Sequence, residues 1–115
     1  MAITNAGNVT VAADQLLSTI VDRLVNTYHP ERIYLFGSMA RGDAGPDSDY
    51  DLLLVVSDNA PSELLDAGRA HEALWGLQTS ADVHVWSRNR FDSRLHLKAS
   101  LPSTVVREGK LLYAA

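Results

Sequence analysis

The chain has 115 residues with a formal net charge of −4, and 46% of its residues are hydrophobic and 21% charged. These values are typical of a soluble globular protein with one domain, here residues 1–115. The negative charge gives no general electrostatic reason to expect binding to nucleic acid or to an anionic membrane, and the lack of cysteine excludes disulfides and thiolate metal sites.

The N-terminal segment carries no sign of export or membrane insertion. Residues 1–14 lack the basic start and the long apolar run of a signal peptide. Residues 1–8 are small and polar, and we expect them to be disordered. The longest aliphatic run, residues 52–56, is too short to span a bilayer, so the expected location is the cytoplasm.

The first half of the chain predicts a helix followed by two strands. Apolar residues recur at helical spacing over residues 10–28, and Pro30 ends that pattern. Residues 32–36 are apolar and aromatic, which favours a strand, and residues 38–41 have the length of a single helical turn. Residues 49–56 predict a second strand, whose apolar end is typical of a central strand covered on both faces.

The second half predicts alternating helices and strands. Pro61 is well placed as the first residue of a helix that continues to about Gly76. The other expected elements are helices over residues 89–99 and 102–108 and strands over residues 81–86 and 110–113. Phe91, Leu95 and Leu97 are expected to turn inward. Together these elements indicate an α/β protein with a small mixed sheet of three to four strands flanked by helices.

A Gly-Ser pair follows the first predicted strand and is a candidate phosphate-binding turn. Gly37 allows a tight backbone that lets a phosphate approach closely, and Ser38 adds a hydroxyl. Arg41 follows within one turn. Taken alone, the pair is better explained as an ordinary strand-to-helix turn in which Ser38 caps the helix, because such dipeptides are common. Its spacing matches neither the Walker nor the dinucleotide-binding glycine pattern, so those classes of site are disfavoured.

Two aspartates open the second predicted strand. Asp49 and Asp51 are two residues apart, so both carboxylates should project from one face, with Tyr50 on the other. Such a pair can bind Mg²⁺ together with water and substrate phosphates, and it can share two ions. The alternative is a polar start of a strand, but two like charges side by side repel each other without a cation. With the Gly-Ser turn on the neighbouring strand, metal binding is the preferred interpretation.

Asp82 opens the third predicted strand and is a candidate third acid. If that strand lies beside the second, Asp82 comes close to Asp49 and Asp51. Three acids could then hold two metal ions and remove a proton from an attacking hydroxyl. A solvent-facing residue at the start of a strand is an equally good interpretation. His84 shares the strand face of Asp82, but a packed or exposed histidine is preferred to a functional one.

The remaining basic and aromatic residues have ordinary interpretations. Arg90, Arg94 and Lys98 are spaced for one helix face and could bind a phosphate tail, RNA or an acidic partner. A solvated helix face is preferred, so nucleic acid is not an expected partner. Trp75 and Trp86 are expected in the core or at a seam between helix and sheet.

The combined motif, GSMARGDAGPDSDYDL, resembles the signature of the DNA polymerase β-like nucleotidyltransferases. It is most similar to that of the minimal nucleotidyltransferase (MNT) branch, whose pattern GSxARGxxxxxSDxDL it matches at each fixed position. The segments ADVHVW and VVREGKLLY also resemble the family's third-acid strand and C-terminal segment, so the resemblance covers about residues 33–113. It implies the polymerase β-like nucleotidyltransferase fold.

The resemblance implies a reaction and a role for each candidate residue. The implied nucleotide-binding residues are Gly37, Ser38 and Arg41, and the implied metal-binding and catalytic residues are Asp49, Asp51 and Asp82. The implied cofactors are Mg²⁺, as two ions, and ATP as nucleotide donor. In the implied reaction a hydroxyl attacks the α-phosphate and pyrophosphate leaves, with metal ions supplying most of the charge stabilisation.

The same resemblance implies a partner. Many MNT proteins are antitoxins paired with a HEPN-domain RNase toxin, and some transfer AMP from ATP to a tyrosine of that toxin. We therefore expect a protein adenylyltransferase that silences such a toxin and forms a hetero-oligomer with it. A chain of this length has little room for its own acceptor pocket, which favours a protein acceptor. The alternative is a non-catalytic antitoxin or nucleotide-binding module that neutralises its partner by direct contact.

Overall fold

The computed structural model describes residues 8–45, 48–66, 68–77 and 79–115. The disorder expected for residues 1–8 falls outside these residues, except for Asn8, where the first helix begins. In chain order the elements are α1 (Asn8–Tyr28), β1 (Arg32–Phe36), α2 (Ser38–Arg41), β2 (Tyr50–Val56), a 3₁₀ turn (Ser62–Leu65), α3 (Gly68–Ala73), β3 (Ala81–Ser87), α4 (Arg88–Asp92), α5 (Leu101–Glu108) and β4 (Lys110–Ala114).

The four strands form one mixed sheet in the order β3-β2-β1-β4. β1 pairs antiparallel with β2 and with β4, whereas β2 pairs parallel with β3. The parallel pair requires a crossover, which the 3₁₀ turn and α3 supply on one face of the sheet. The predicted fold class, an α/β protein with a small mixed sheet flanked by helices, is therefore confirmed.

Both faces of β2 are buried, as its unbroken apolar sequence predicted. On one face Leu52 packs in a core with Leu24 of α1. On the other face Leu53 packs in a second core with Phe91 of α4 and Val105 of α5. Successive residues of a strand point to opposite faces, so β2 contributes to both cores. These contacts hold in place the end of the sheet that carries the aspartates.

The long helix predicted over residues 61–76 is interrupted, and that prediction is wrong in part. Asp66 separates the 3₁₀ turn from α3 with an extended backbone at φ −84° and ψ 111°. Its side-chain Oδ1 accepts a hydrogen bond of 2.8 Å from the Gly68 backbone N–H, and its carbonyl accepts one of 3.0 Å from the Tyr28 hydroxyl. These bonds compete with helical ones and break the helix. Ala67, which the prediction also included, lies outside the described residues.

The helix predicted over residues 89–99 ends at Asp92, so its second half is also a correction. Phe91 is fully buried as expected, but Leu95 and Leu97 are 36% and 48% exposed. The Ser100 hydroxyl donates a 2.7 Å hydrogen bond to the Arg94 carbonyl and thereby stabilises a turn. That same oxygen accepts a bond from the Ser103 backbone N–H and caps α5.

The remaining predicted elements agree closely with the structure. β1 and α2 have the predicted bounds, β3 and β4 each extend one residue further, and α5 begins one residue earlier. β2 begins at Tyr50 rather than Asp49, so Asp49 directly precedes the strand. Among the described residues, no helix is long and apolar enough to cross a membrane.

Candidate active site

The Gly-Ser turn connects β1 directly to α2. Gly37 has a φ of 75° and is the residue before the helix, and no side chain caps that helix. Ser38 is already helical, so the alternative in which Ser38 is the capping residue does not apply. The Ala40 and Arg41 backbone N–H groups donate to the Gly37 carbonyl at 3.1 and 3.0 Å. Gly37 is needed here for its positive φ, which side chains other than glycine rarely tolerate.

A second reason for glycine at this position is the close approach of Asp51. A Cβ atom placed on Gly37 would collide with the Asp51 carboxylate. The sheet register explains this proximity, because Phe36, the residue before Gly37, pairs with Asp51 across the antiparallel strands. The turn and the paired aspartates therefore form one site.

Asp51 also has an acidic neighbour on its other side. Asp82 is its register partner in the parallel pair of β2 and β3. Aligned residues of neighbouring strands share a face, so both carboxylates lie on the same face at the same end of the sheet. The prediction that Asp82 comes close to Asp51 if the strands are neighbours is confirmed.

The three acids interact electrostatically. Burial is the largest influence that raises the pKa of the Asp51 carboxyl, and the negative charges of Asp82 and Asp49 come next. Positive charge on His84 and Arg41 acts in the opposite direction on the same pKa. Asp51 is thus the half-buried centre of a cluster of carboxylates whose like charges repel each other.

The donor chemistry of this cluster fits a hard cation. Carboxylate oxygens are preferred ligands of Mg²⁺, which commonly takes only one or two carboxylates and fills its shell with water and substrate phosphates. Within the part of the chain that the structure describes, no three acidic or histidine side chains are already placed to hold an ion by themselves. Asp49, Asp51 and Asp82 are the residues that would hold it, with the remaining ligands supplied from outside the chain.

His84 contacts the site, which the sequence interpretation did not favour. Its Nε2 lies 3.3 Å from Oδ2 of Asp82, and its ring centroid lies 5.8 Å from that of Phe36. The two-residue spacing from Asp82 was the available signal, because it places both side chains on one strand face. The histidine can fix the orientation of the Asp82 carboxylate.

Arg41 lies at the rim of the site. Its Nε donates to Asp43 Oδ2 at 3.2 Å, and both side chains are about half exposed or more. Its charge nevertheless acts on the Asp51 carboxyl. Arg41 is therefore near enough to attract an anionic ligand, but in this structure its guanidinium is engaged by Asp43.

A cleft of about 800 Å³ adjoins the acids on the β3 side. Asp49, Asp82 and Ser80 line it near the sheet, and Leu74 and Leu77 line it on the side of the turn after α3. No residue of β1 or α2 is among the described residues that line it. The cleft thus meets the site from the side opposite the Gly-Ser turn.

Trp75 stands at this cleft, and its predicted burial is wrong. Its side chain is 74% exposed, and its ring meets that of His71 edge-on with centroids 6.0 Å apart. The prediction failed because α3 ends at Ala73, so Trp75 lies in a turn instead of on the inner face of a helix. Trp86 is half-buried against the second core, with the Arg90 guanidinium 4.0 Å from its ring centroid, which confirms the seam predicted for it.

Arg90, Arg94 and Lys98, the basic segment, do not share one helix face, because Arg94 and Lys98 follow the end of α4. Arg88, which lies just before Arg90, pairs with Glu31 Oε2 at 2.9 Å and lies 3.8 Å from an oxygen of Asp58. Arg90 stacks on Trp86. These side chains contact the protein itself, so the segment adds nothing to the candidate site.

Comparisons with known proteins point to one family. The model of the nucleotidyltransferase domain matches residues 16–112. A crystal structure of a candidate nucleotidyltransferase from Sulfolobus solfataricus has a TM-score of 0.60 at 18% identity, with coverage of 98% of this chain and 93% of that chain. No curated protein matches the sequence significantly.

Two further solved structures are toxin–antitoxin complexes. One contains AMP-PNP and has a TM-score of 0.52 at 27% identity, covering 84% of this chain and 72% of that chain. The other is a variant of the complex MntA–HpeT in which two aspartates two positions apart are glutamates, with a TM-score of 0.54 at 21% identity and coverage of 83% and 71%. These likenesses agree with the fold and with the MNT branch that the motif indicates.

Proposed function

The chain belongs to the nucleotidyltransferase domain family, and we propose that it is a Mg²⁺-dependent enzyme that transfers AMP from ATP to a tyrosine of a partner HEPN RNase toxin. The product would be an adenylylated, silenced toxin, and the protein would act as its antitoxin. The antitoxin role is supported by the likeness, at 27% identity, to a toxin–antitoxin complex with AMP-PNP, an ATP analogue.

One observation carries the catalytic part of the proposal. Asp51 lies between the Gly-Ser turn and Asp82, and its pKa is raised by burial and by the two neighbouring carboxylates. Like charges so close together are unfavourable unless a cation neutralises them. Mg²⁺ would supply the opposite charge, and the triphosphate of ATP would supply further oxygen ligands to the ion.

In this proposal each residue of the site has a separate role. Gly37 lets the turn lie against the Asp51 carboxylate, so a phosphate chain at the turn would lie beside the acids, with Ser38 and Arg41 contributing polar and positive groups. Asp49 and Asp51 would hold Mg²⁺, which would supply neutralisation of the phosphate charge. The acceptor oxygen forms a bond to the α-phosphorus, the bond to pyrophosphate breaks, and the Asp82 carboxylate takes the hydroxyl proton.

The proposal is tested by intact-mass measurement of the acceptor. The chain is incubated with ATP, Mg²⁺ and the protein encoded by the adjacent reading frame, and the acceptor is expected to gain the mass of one AMP. Asp51→Asn keeps the shape of the side chain and should lower the rate by at least about 100-fold, as loss of charge stabilisation does. Asp22→Asn, an exposed aspartate of α1 outside the site, is the matched control. Transfer at an unchanged rate by Asp51→Asn would contradict the proposal.

A second candidate function is neutralisation by contact alone. Exposed apolar residues outside the candidate site, such as Leu97 and Val106, would be available for such a contact. Under this alternative Asp51→Asn would neutralise a co-expressed toxin as well as the native chain does. Growth rescue by the variant, measured beside the mass assay, separates the two functions.

A further inference from the structure

Asp82 is weakly restrained by the sheet itself. It lies in β3, which is an edge strand, and its side chain is 63% exposed. A carboxylate so exposed can adopt several rotamers. A group that takes a proton or holds an ion acts efficiently only when it is kept in one orientation. The proposed reaction therefore needs a second group that holds Asp82.

His84 is placed to be that group. It lies two residues further along β3 than Asp82, so both side chains project from the same face of the sheet. The imidazole Nε2 lies 3.3 Å from Oδ2 of Asp82. Polar partners at this distance commonly orient the carboxylates of metal sites. His84 can therefore restrain a carboxylate that the edge strand leaves free to turn.

The imidazole is itself held from β1. The ring centroids of Phe36 and His84 are 5.8 Å apart, and the ring planes are tilted by 49°. Their strands are not neighbours, because β2 lies between β1 and β3, so the two backbones are separated by about 10 Å, twice the strand spacing. Both rings must therefore lean toward each other over β2. Tilted aromatic rings at such a separation attract each other.

This ring pair crosses β2 beside the central acid. Phe36 is the register partner of Asp51, and His84 is that of Leu53. Asp51 and Leu53 lie two residues apart and share the face of the second core. Rings that lean over β2 from both sides cover part of this face, which accounts for the partial burial of Asp51. Side-chain contacts thus connect Asp82 to β1, the strand that ends at the Gly-Ser turn.

We infer that His84 is a positioning residue for the transfer reaction, which holds the Asp82 carboxylate in place beside Asp51 while Phe36 holds the imidazole. The inference rests on the proposed function, in which Asp82 takes the proton of the acceptor hydroxyl. His84 acts through Asp82 and contacts neither ATP nor the acceptor. The proton still passes from the hydroxyl to Asp82, and no further reactant is needed.

Two direct roles for His84 fit the geometry less well. A catalytic base needs a ring nitrogen that faces the acceptor, whereas Nε2 faces Asp82. A ligand of Mg²⁺ is disfavoured because this ion prefers oxygen to imidazole nitrogen. The third alternative is packing alone, in which the ring supports Phe36 and the polar contact has no role. An apolar ring would then serve equally well.

Two substitutions separate the polar contact from the packing. His84→Phe keeps a ring against Phe36 and removes the polar contact, whereas His84→Gln carries an amide nitrogen that can reach the position of Nε2. His84→Phe should lower kcat for AMP transfer about 10–100-fold, the usual cost of losing such a partner, and leave the KM for ATP within about twofold. His84→Gln should recover most of this rate. His96→Phe, at an exposed histidine outside the site, should change neither constant.

A second measurement does not depend on catalysis. Mg²⁺ should raise the Tm by binding the folded chain, and the quantity compared is the Mg²⁺ concentration that produces a fixed rise. This concentration should be about tenfold higher for His84→Phe than for the native chain, and close to native for His84→Gln. In the Asp82→Asn background His84→Phe should change it no further, because the effect passes through Asp82.

Other outcomes overturn the inference. Native constants in His84→Phe would leave the ring a packing role only, and a loss that His84→Gln does not recover would mean that the imidazole itself reacts. A raised KM for ATP would place His84 against the nucleotide. An undiminished effect in the Asp82→Asn background would show that His84 does not act through Asp82.

Two further cases keep the test decisive. If His84→Phe does not fold, His84→Val, which suits a strand, takes its place in both measurements. If the native chain transfers AMP to no acceptor, the proposed function fails, and the Mg²⁺ measurement still decides whether His84 holds Asp82.

Discussion

At the scale of single residues, Asp51 combines partial burial with two neighbouring carboxylates. Its pKa is raised by burial and by Asp82 and Asp49, so its ionised form is less favourable in the folded state than in the unfolded chain. A group with a raised pKa in the folded state contributes stability at low pH, and that contribution is lost as pH rises through the folded pKa. The ionised site should therefore weaken the fold at neutral pH.

This predicts that Asp51→Asn stabilises the protein at neutral pH in the presence of EDTA. We expect a rise in Tm of a few degrees at most, because the group is only half-buried. The difference should shrink as the pH falls through the acid range where Asp51 protonates, since both side chains are then neutral. Calorimetric scans from neutral to acid pH check this. An equal Tm for both proteins at neutral pH would show that the clustered charges cost nothing.

Addition of Mg²⁺ gives the complementary measurement. The ion should raise the Tm of the native chain by binding its folded form, and it should do so much less in Asp51→Asn. A similar rise in both proteins would place the ion elsewhere.

Gly37 gives a second prediction at this scale. Gly37→Ala must accommodate both a φ of 75° and a Cβ atom against the Asp51 carboxylate. We expect a loss of about 1–3 kcal/mol of stability together with loss of nucleotide transfer. Gly42→Ala is the control, since Gly42 also has a positive φ, 85°, but a Cβ there meets nothing within 4 Å. Retained transfer in Gly37→Ala would show that the close approach to Asp51 is not needed.

At the scale of elements, the strands were more predictable than the helices. β1 and β3 are short alternating or β-branched runs bounded by turn residues, and local pattern suffices for such segments. Residues 61–76 and 89–99 continue an apolar helical pattern past the actual helix ends. There, hydrogen bonds of Asp66 and Ser100 to the backbone decide the conformation, and these depend on contacts that the pattern does not contain.

The junction of α5 and β4 gives a prediction at this scale. Gly109 joins them, and a Cβ atom there would lie 2.5 Å from both the Leu35 and the Val105 carbonyl oxygens. Because both oxygens belong to the backbone, Gly109→Ala must shift α5 away from β1, and we expect a loss of about 1–3 kcal/mol. Chemical unfolding measures it. Gly45→Ala, where a Cβ meets nothing, should stay within about 0.5 kcal/mol; equal effects of the two substitutions would contradict the steric account.

The candidate site shows the same division between local and distant information. Gly37, Asp49 and Asp51 belong to one short segment, so their spacing was enough to make them candidates. Asp82 could be placed only by assuming which strands are neighbours, and the parallel register makes it adjacent. The exposure of Trp75 could not be predicted, because it follows from where α3 ends.

At the scale of the whole molecule, β2 joins two cores that lie on opposite faces of the sheet. Leu53 is fully buried in one of them, and Leu53→Ala should cost about 2–5 kcal/mol. Because β2 contributes to both cores, we expect one unfolding transition in which the helical signal and Trp86 fluorescence change together. Leu111→Ala is the exposed control, and separate transitions in the two signals would show that the cores unfold independently.

Because β3 is at the edge of the sheet, the assembled site should be in equilibrium with a locally opened form in which β3 is detached. An edge strand can open at a lower free-energy cost than a central one, and opening of β3 would separate Asp82 from Asp51 while β2 stays paired with β1. Amide hydrogen exchange would then be faster in β3 than in β2. Turnover would decline on warming before the molecule melts, so the upper temperature limit of activity is set by one strand rather than by the fold.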